Sequence, residues 1–126
     1  MQTPEDLFYT HEHEWIRRIG GSVVRLGISD YAQDQLGDVV YVELPSEGDT
    51  VAKEDLLAEI ESTKSVGEVY APFAGKVTNI NQAVVDSPEL VNSSPYEEGW
   101  LAELELEGEF SNDGLLDAEA YKNLTE

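Results

Sequence analysis

A single lysine lies between two segments that both have the sequence pattern of a β-strand. Residues 56–62 alternate between two faces, and residues 66–71 are rich in β-branched and aromatic side chains, which predicts two strands. Only Thr63 and Lys64, or one residue more on either side, remain to connect them, so we expect a tight hairpin with Lys64 at its tip. A primary amine on a long stem, held out by a rigid support, is suited to covalent attachment of a carrier group.

Two observations set Lys64 apart from an ordinary solvated lysine, which is what most hairpin lysines are. Thr-Lys is unfavourable in a two-residue hairpin, because the preferred turns need positive φ, which Asn and Gly adopt more easily. A turn built from unfavourable residues indicates a site that is set by function. The chain also has only four lysines, and the other three are Lys53, Lys76 and Lys122.

The composition excludes several classes of function. The 126 residues include 27 acidic and 7 basic side chains, a formal charge of −20, which repels nucleic acid and anionic membranes. The chain has no cysteine, so any sulfur redox chemistry must come from an attached group. No apolar run approaches the roughly eighteen residues of a membrane span, and the acidic start of the chain lacks the basic flank of a signal peptide. We expect one cytoplasmic domain over residues 1–126.

The elements that would position Lys64 are mostly strands. Besides the hairpin, strand patterns occupy residues 8–16, 23–28, 39–44, 76–80 and 100–106, and residues 19–22 form a turn. Residues 29–37 predict a short helix that Ser29 or Asp30 caps and Gly37 ends. A helical tail is expected over about residues 115–125. Leu116, Ala120 and Leu124 would lie on one face of this helix, and Asp117 would be an internal cap.

A faint internal repeat surrounds the lysine. Residues 37–42 (GDVVYV) resemble residues 75–80 (GKVTNI), and residues 56–61 (LLAEIE) resemble residues 100–105 (WLAELE). Two similar sets of strands on either side of Lys64 predict two sheets related by a pseudo-two-fold axis. The predicted fold class is mainly β, a flattened barrel-sandwich hybrid of two sheets with a short internal helix and a C-terminal helix, and its core spans about residues 8–107.

Two histidines near the N-terminus raise the question of a metal or catalytic site. His11 and His13 would share one face of an extended segment, but two imidazoles are an incomplete zinc site, and Trp15 stands where a zincin helix needs its second histidine. We therefore predict no metal site. His13 is more readily a structural histidine than a proton donor, and Trp15 suits the core or the wall of a cleft better than catalysis.

Motifs along nearly the whole chain resemble the H proteins of the glycine cleavage system. They are His13-Glu-Trp15, Gly37-Asp-Val-Val-Tyr-Val-Glu-Leu-Pro45, Glu61-Ser-Thr-Lys64-Ser-Val, Ala71-Pro-Phe-Ala-Gly75, and Asn92-Ser-Ser-Pro-Tyr96 followed by Gly99-Trp100. This set is far more specific than a lone lipoyl motif. The resemblance implies the fold of lipoyl and biotinyl carriers, and a carrier subunit rather than an enzyme, with lipoic acid amide-linked to Lys64.

The resemblance also implies the partners of glycine breakdown. The P protein, a pyridoxal-phosphate decarboxylase, would load the aminomethyl group of glycine onto the lipoyl arm. The T protein, an aminomethyltransferase, would pass the methylene to tetrahydrofolate and release ammonia, and the L protein, dihydrolipoyl dehydrogenase, would reoxidise the arm. Lipoylating enzymes are further partners, and the resemblance implies that they read Glu61 and Gly75.

In the same family the loaded arm is expected to fold into a cleft on its own carrier. By position, Glu14 and Glu68 match acidic residues that meet the amine of the arm, although the family often has Asp where Glu68 stands. His13 and Trp15 are assigned to the same arm-docking cleft. The lysine side chain and an octanoyl chain together reach on the order of 14 Å, enough to enter a partner's active site.

Three other functions fit parts of the sequence. A biotin carrier would flank its lysine with methionines, whereas this chain has Thr63 and Ser65. A lipoyl donor would pass its group to other 2-oxoacid dehydrogenase complexes, and that role is compatible with a carrier role in glycine breakdown. An unmodified acidic module would bind a partner through its surface alone, and an intact mass would separate these alternatives.

Overall fold

The structure, a computed structural model that describes residues 2–125, is mainly β and contains two sheets and short helices. The elements in chain order are β1 Phe8–Tyr9, β2 Glu14–Gly20, β3 Val23–Ile28, α1 Asp30–Leu36, β4 Val39–Glu43, β5 Thr50–Val51, β6 Leu56–Ser62, β7 Val66–Tyr70, β8 Gly75–Ile80, α2 Gln82–Asp86, α3 Leu90–Ser93, β9 Ala102–Leu106 and α4 Ala118–Thr125. The predicted fold class is therefore confirmed.

The two sheets are of unequal size and both remain open. The larger sheet has the strand order β1-β2-β3-β9-β8-β5, and the smaller has β4-β6-β7, with antiparallel neighbours throughout. Two open sheets agree with the predicted two-sheet hybrid. The hairpin that presents Lys64 connects β6 and β7, so the small sheet is the platform of the candidate site.

The internal repeat corresponds to one antiparallel strand pair in each sheet. Strands β4 and β6 pair in the small sheet, and β8 and β9 pair in the large one. Each pair contains a bulge, between Val39 and Tyr41 in the first and between Val77 and Asn79 in the second. These bulges fall at matching positions of the repeat, although the pairing registers of the two copies differ.

Another bulge changes which side chains β6 buries. Strict alternation groups Leu56 with Ala58 and Ile60, but the pairing with β7 shifts between Leu56 and Ala58. As a result Leu57 is 4 % exposed and packs in the core, while Leu56 is 48 % exposed. Side chains alternate between the two faces of a sheet only where each strand residue has one partner on the neighbouring strand. A bulge adds a residue without a partner and interrupts this alternation.

The apolar core is divided into three clusters. One lies between the inner face of the small sheet and helices α1, α2 and α3, where Leu36, Val84 and Val91 are buried. A second lines the large sheet. The third joins the two ends of the chain, because Leu7, Tyr9, Trp15, Tyr96, Ala118 and Tyr121 pack together there.

The helices follow the sequence signals unevenly. In α1 the Ser29 hydroxyl accepts the Ala32 N–H, and Gly37 ends the helix at φ 90°, as predicted. Helices α2 and α3 occupy segments for which the sequence patterns predict no helix.

The tail prediction is correct in type and wrong in its buried face. Helix α4 begins at Ala118, and Asp117 caps its start rather than its interior by accepting the Ala120 N–H at 2.8 Å. Ala118 and Tyr121 are buried, whereas Leu124 is 48 % exposed. Tyr121 finds an aromatic partner in Tyr9, which an argument from helix periodicity alone cannot anticipate.

Candidate functional site

The hairpin tip is built without the strained turn that the sequence suggested. The Ser62 N–H donates to the Ser65 carbonyl at 2.8 Å, and Thr63 and Lys64 connect the two strands. The Ser62 hydroxyl accepts the N–H groups of Lys64 and Ser65 at 3.2 and 3.0 Å. Among residues 2–125, positive φ outside glycine occurs only at His13 and Glu54. The expectation that Thr-Lys is unfavourable here is therefore wrong, because a serine side chain stabilises a turn with negative φ.

The Lys64 side chain is exposed and lies across the turn that follows α1. A Cβ atom added to Gly37 would come within 3.1 Å of the Lys64 Cε. The Thr63 N–H donates to the Asp38 carbonyl at 3.0 Å, which fastens the tip to the same turn. The lysine stem thus has a firm backbone support, while its amine stays accessible.

Asn92 holds that supporting turn in place. Its side-chain amide donates to the Gly37 carbonyl and its side-chain oxygen accepts the Val39 N–H, at 2.9 and 2.8 Å. A further bond joins the amide to the Gln33 side chain at 2.9 Å. Asn92 begins one of the family motifs, but the sequence alone does not indicate this role.

A cleft of about 360 Å³ opens beside the lysine. It lies between α1, the edge of β7 and the turn that precedes β2, and Ser65 at the hairpin tip is part of its lining. Its apolar lining residues are Ile28, Ala32, Leu36, Ile60 and Val69. Its polar lining residues are Glu12, His13, Tyr31, Gln35, Ser65 and Glu68. The cleft can therefore accommodate an aliphatic chain and offers carboxylates to a cation.

Two exposed carboxylates, Glu68 and Glu12, belong to this cleft. Glu68 was expected there, and its Oε1 accepts the Tyr70 hydroxyl at 3.1 Å. Glu12 was not expected, because the sequence predicted one continuous strand over residues 8–16. Residues 10–13 form a turn between β1 and β2 instead, in which the His13 N–H donates to the Thr10 carbonyl. That turn brings Glu12 to the cleft.

Glu14 is not a lining residue of the cleft. The side chain is buried, and its two oxygens accept the Tyr70 N–H at 2.7 Å and the Thr10 hydroxyl at 3.2 Å. Burial raises the pKa of Glu14 to about 7, and the two hydrogen bonds oppose that rise. Glu14 lines a smaller pocket of about 160 Å³, which meets the cleft at Glu12.

His13 lines the cleft and connects it to the C-terminal helix. Its backbone is in the left-handed region at φ 71°, and its ring lies 5.0 Å from the ring of Tyr31. The Nδ1 atom is 2.8 Å from the Tyr121 hydroxyl. Partial burial lowers the pKa of His13, so the neutral imidazole is favoured at neutral pH.

Trp15 supports the site from within the core. Its ring is fully buried, its Nε1–H donates to the Pro95 carbonyl at 2.9 Å, and it packs near Tyr96. Trp15 is absent from the lining of the cleft, and its assignment to the arm-docking cleft stays a prediction. Successive side chains of β2 point to opposite faces of the sheet, so Glu14 and Trp15 of the His13-Glu-Trp15 motif need not face the same site.

The two predicted recognition residues lie on different sheets. Glu61 is exposed in the small sheet, opposite Tyr41 on one side and Val66 on the other. Gly75 is buried at the start of β8 in the large sheet. A Cβ atom there would lie 2.5 Å from the Glu105 carbonyl oxygen, so close packing of β8 against β9 already accounts for a glycine. Recognition of either residue by lipoylating enzymes stays a prediction.

Within residues 2–125, no group of three or more His, Cys, Asp or Glu side chains could hold a metal ion. No helix of this part is long and apolar enough to cross a membrane.

Comparisons with a family model and with known proteins agree on one family. A family model described as the glycine cleavage H-protein matches residues 7–126. The glycine cleavage system H protein of Anaeromyxobacter sp. (strain K) is 52 % identical over 126 residues, covering 100 % of this chain and 98 % of that protein. The protein of the same name from Nocardia farcinica is 53 % identical, covering 97 % of this chain and 96 % of the relative.

A solved structure supports the same relationship. The crystal structure of a glycine cleavage system H protein from Mycobacterium marinum has a TM-score of 0.85 and 37 % sequence identity to this chain. The match covers 95 % of this chain and 96 % of that one.

Proposed function

Because the chain belongs to the glycine cleavage H-protein family, we propose that it is the lipoylated carrier of that system and that Lys64 is the attachment site. The observation that carries this proposal is the exposed Lys64 at the tip of a hydrogen-bonded hairpin, next to Ser65, which lines a cleft with both aliphatic and acidic side chains. When attached, lipoic acid supplies a dithiolane whose sulfur atoms take up and release the carried group.

The proposed cargo is the aminomethyl group of glycine. The carrier would receive it at the P protein and deliver it at the T protein, and the L protein would restore the disulfide between rounds. All of these encounters would take place in the cytoplasm. The contribution of this chain is to hold the Lys64 amine on a stem that leaves the surface, so that the attached group reaches on the order of 14 Å into each partner.

The residues beside Lys64 fit a lipoyl group. Five aliphatic side chains line the cleft, so an octanoyl chain folded into it would exclude water from its methylene groups at about 0.8 kcal/mol per buried CH₂. Ser65 lies both next to Lys64 in sequence and in the cleft lining, so a flexible stem that starts at the tip can fold back into it. The carrier would thereby shelter its own arm between partners.

The carboxylates of the cleft suit a cationic cargo. Glu12 and Glu68 line the cleft, and Glu12 and Glu14 both line the adjoining pocket. A charge-assisted hydrogen bond from an ammonium group to such a carboxylate contributes about 1.5–3 kcal/mol. That free energy corresponds to a roughly ten- to hundredfold shift toward the docked arm. An arm without cargo lacks the cation and would leave the cleft more easily.

The attachment site is tested by glycine decarboxylation with purified P protein. Lys64→Arg should keep the fold, because the residue is exposed, and should abolish the ability to support the reaction. Lys76→Arg is the matched control, since Lys76 is also exposed but lies in β8 of the other sheet. If activity persists in Lys64→Arg and disappears in Lys76→Arg, Lys64 is not the attachment site.

The sheltering role of the cleft is tested by the lifetime of the cargo. Unprotected cargo loses its carbon unit to water as formaldehyde, so the Glu12→Gln/Glu68→Gln double variant should release formaldehyde roughly ten- to hundredfold faster. Glu14→Gln should accelerate release as well if Glu14 meets the amine. Glu47→Gln, an exposed change outside the cleft, is the control. Equal release from all of these variants would show that the carboxylates do not guard the cargo.

A further inference from the structure

The hydroxyl group of Tyr121 joins the wall of the cleft to the C-terminal helix. Tyr121 is 1 % exposed, and its ring stacks on Tyr9 with a centroid distance of 4.5 Å. Its hydroxyl oxygen lies 2.8 Å from the His13 Nδ1 and 2.5 Å from the Ser29 Oγ. His13 lines the cleft and Ser29 caps α1, so one phenol contacts two elements that form the cleft.

The proton of Ser29 fixes the direction of this hydrogen-bond chain. The Ser29 Oγ accepts the Ala32 N–H at 3.1 Å, and its other hydrogen-bond partner within residues 2–125 is the Tyr121 hydroxyl. Ser29 is fully buried, so its proton cannot turn to water. If Tyr121 donated to Ser29, that proton would be left without an acceptor, which is unfavourable for a buried group. Ser29 therefore donates to Tyr121, and Tyr121 donates its own proton to His13.

We propose that Tyr121 is a positioning residue that holds the cleft histidine neutral with its proton on Nε2. A histidine nitrogen that accepts a hydrogen bond is the unprotonated one, so Nδ1 accepts from Tyr121 and Nε2 carries the hydrogen. Ser29 also donates its backbone N–H to the His13 carbonyl at 2.9 Å, which helps to keep the His13 backbone at positive φ. The lowered pKa of His13 agrees with a neutral ring.

The consequence for the cleft rests on the proposed function. A neutral ring with Nε2–H offers a hydrogen-bond donor to a carbonyl oxygen or a sulfur atom of a docked arm. It adds no positive charge beside Glu12 and Glu68, and so leaves these carboxylates to the cationic amine. The C-terminal helix would in this way set the chemistry of a site to which it contributes no lining residue.

Nitrogen NMR of the unmodified protein tests the assignment directly. The chain has two histidines, so His11→Asn identifies the signals of His13, and the exposed His11 serves as a reference for a solvated ring. At neutral pH we expect an unprotonated Nδ1 and a protonated Nε2 in His13. A proton on Nδ1, or a charged ring, overturns the inference.

A pair of tyrosine variants tests the role of the hydroxyl. Tyr121→Phe removes the bond to His13 and should shift the Nδ1 signal downfield and move the Ala32 amide signal. Tyr9→Phe is the matched control, because it removes another buried hydroxyl, which donates to the Pro4 carbonyl, from the same aromatic stack. Unchanged His13 signals in Tyr121→Phe, or equal shifts in both variants, would overturn the inference. All of these spectra use unmodified protein, so they stand independently of lipoylation, and the wild-type spectrum decides the tautomer even if a variant fails to fold.

Discussion

The carboxyl group of Glu14 shows how burial changes the behaviour of a single residue. The side chain is 2 % exposed, and burial raises its pKa from 4.5 to about 7. The folded protein therefore binds this proton more tightly than the unfolded chain does. Between about pH 4.5 and 7 the folded state holds the proton while the unfolded state has lost it, so stability from this group falls as the pH rises through that range. At higher pH the folded state contains a buried, charged carboxylate.

We expect Glu14→Gln to remove this part of the pH dependence. The amide has a similar shape, and its oxygen can still accept the Tyr70 N–H. Relative to this variant, wild-type protein should lose on the order of 2 kcal/mol of unfolding free energy between pH 5 and pH 8. Urea unfolding of both proteins across that range measures the difference. Parallel curves would mean that Glu14 titrates in the folded protein as it does in the unfolded chain.

Gly75 illustrates a residue whose type follows from a close backbone approach. A Cβ atom would meet the Glu105 carbonyl oxygen at 2.5 Å, and the neighbours are strand backbone that cannot move without breaking the β8–β9 pairing. Gly75→Ala should therefore destabilise the fold by about 1–3 kcal/mol, as overpacked sites do.

Gly108→Ala is the control for this prediction, because a Cβ atom there would meet nothing within 4 Å. Unfolding free energies and lipoyl occupancy would be measured on both variants. If Gly75→Ala folds as stably as the control and yet is poorly lipoylated, its role is recognition and the packing explanation fails.

At the scale of the elements, the outer face of the small sheet brings like charges together. Glu43 on β4 lies opposite Glu59 on β6, which in turn lies opposite Glu68 on β7. Within residues 2–125, the ion pairs involve none of these three side chains. Directly opposed like charges on neighbouring strands are destabilising. The row beside it, nearer the lysine, has Glu61 between Tyr41 and Val66 and lacks such opposition.

Glu59→Gln should stabilise the protein because it removes both opposed pairs at once. We expect a gain of about 0.2–1 kcal/mol per pair at low ionic strength, which shrinks as salt is added. Glu61→Gln is the matched change on the same strand and face, and it should give no comparable gain.

The same two variants separate stability from recognition. If lipoylating enzymes read Glu61, Glu61→Gln should lower lipoyl occupancy while Glu59→Gln leaves it unchanged. Thermal unfolding in low and high salt, together with occupancy by mass spectrometry, measures both effects. A salt-independent gain in Glu59→Gln would contradict the electrostatic explanation.

Strand patterns and capping residues in the sequence predicted the elements whose structure depends on neighbouring residues alone. The lysine hairpin follows from two patterned strands, and helix α1 follows from Ser29 and Gly37 at its ends. Glu12 was missed because the turn over residues 10–13 depends on His13 at positive φ, a conformation that no local sequence signal marks for histidine. The bond between His13 and Tyr121 spans 108 positions in the chain, so only the assembled core reveals it. The bulge at Leu56 likewise depends on the partner strand.

At the scale of the whole molecule, two features bear on how Lys64 is presented: the strongly acidic surface and the support of the hairpin tip. The formal charge is −20, and most carboxylates of the described chain have no basic partner. Such a surface attracts basic faces on other proteins, and added salt weakens that attraction and slows association. The lysine tip rests on the turn after α1, which α3 fastens through Asn92. If Lys64 carries the proposed lipoyl group, a partner would therefore meet an acidic body from which that group extends at one hairpin tip.

Attachment of a lipoyl group to Lys64 is tested most directly by intact mass and peptide mapping of protein purified from its native host. We expect a mass increase of one lipoyl group, located on the peptide that contains Lys64, and no increase in Lys64→Arg. An unmodified mass, the mass of biotin, or a lipoyl group on Lys53, Lys76 or Lys122 would contradict the claim.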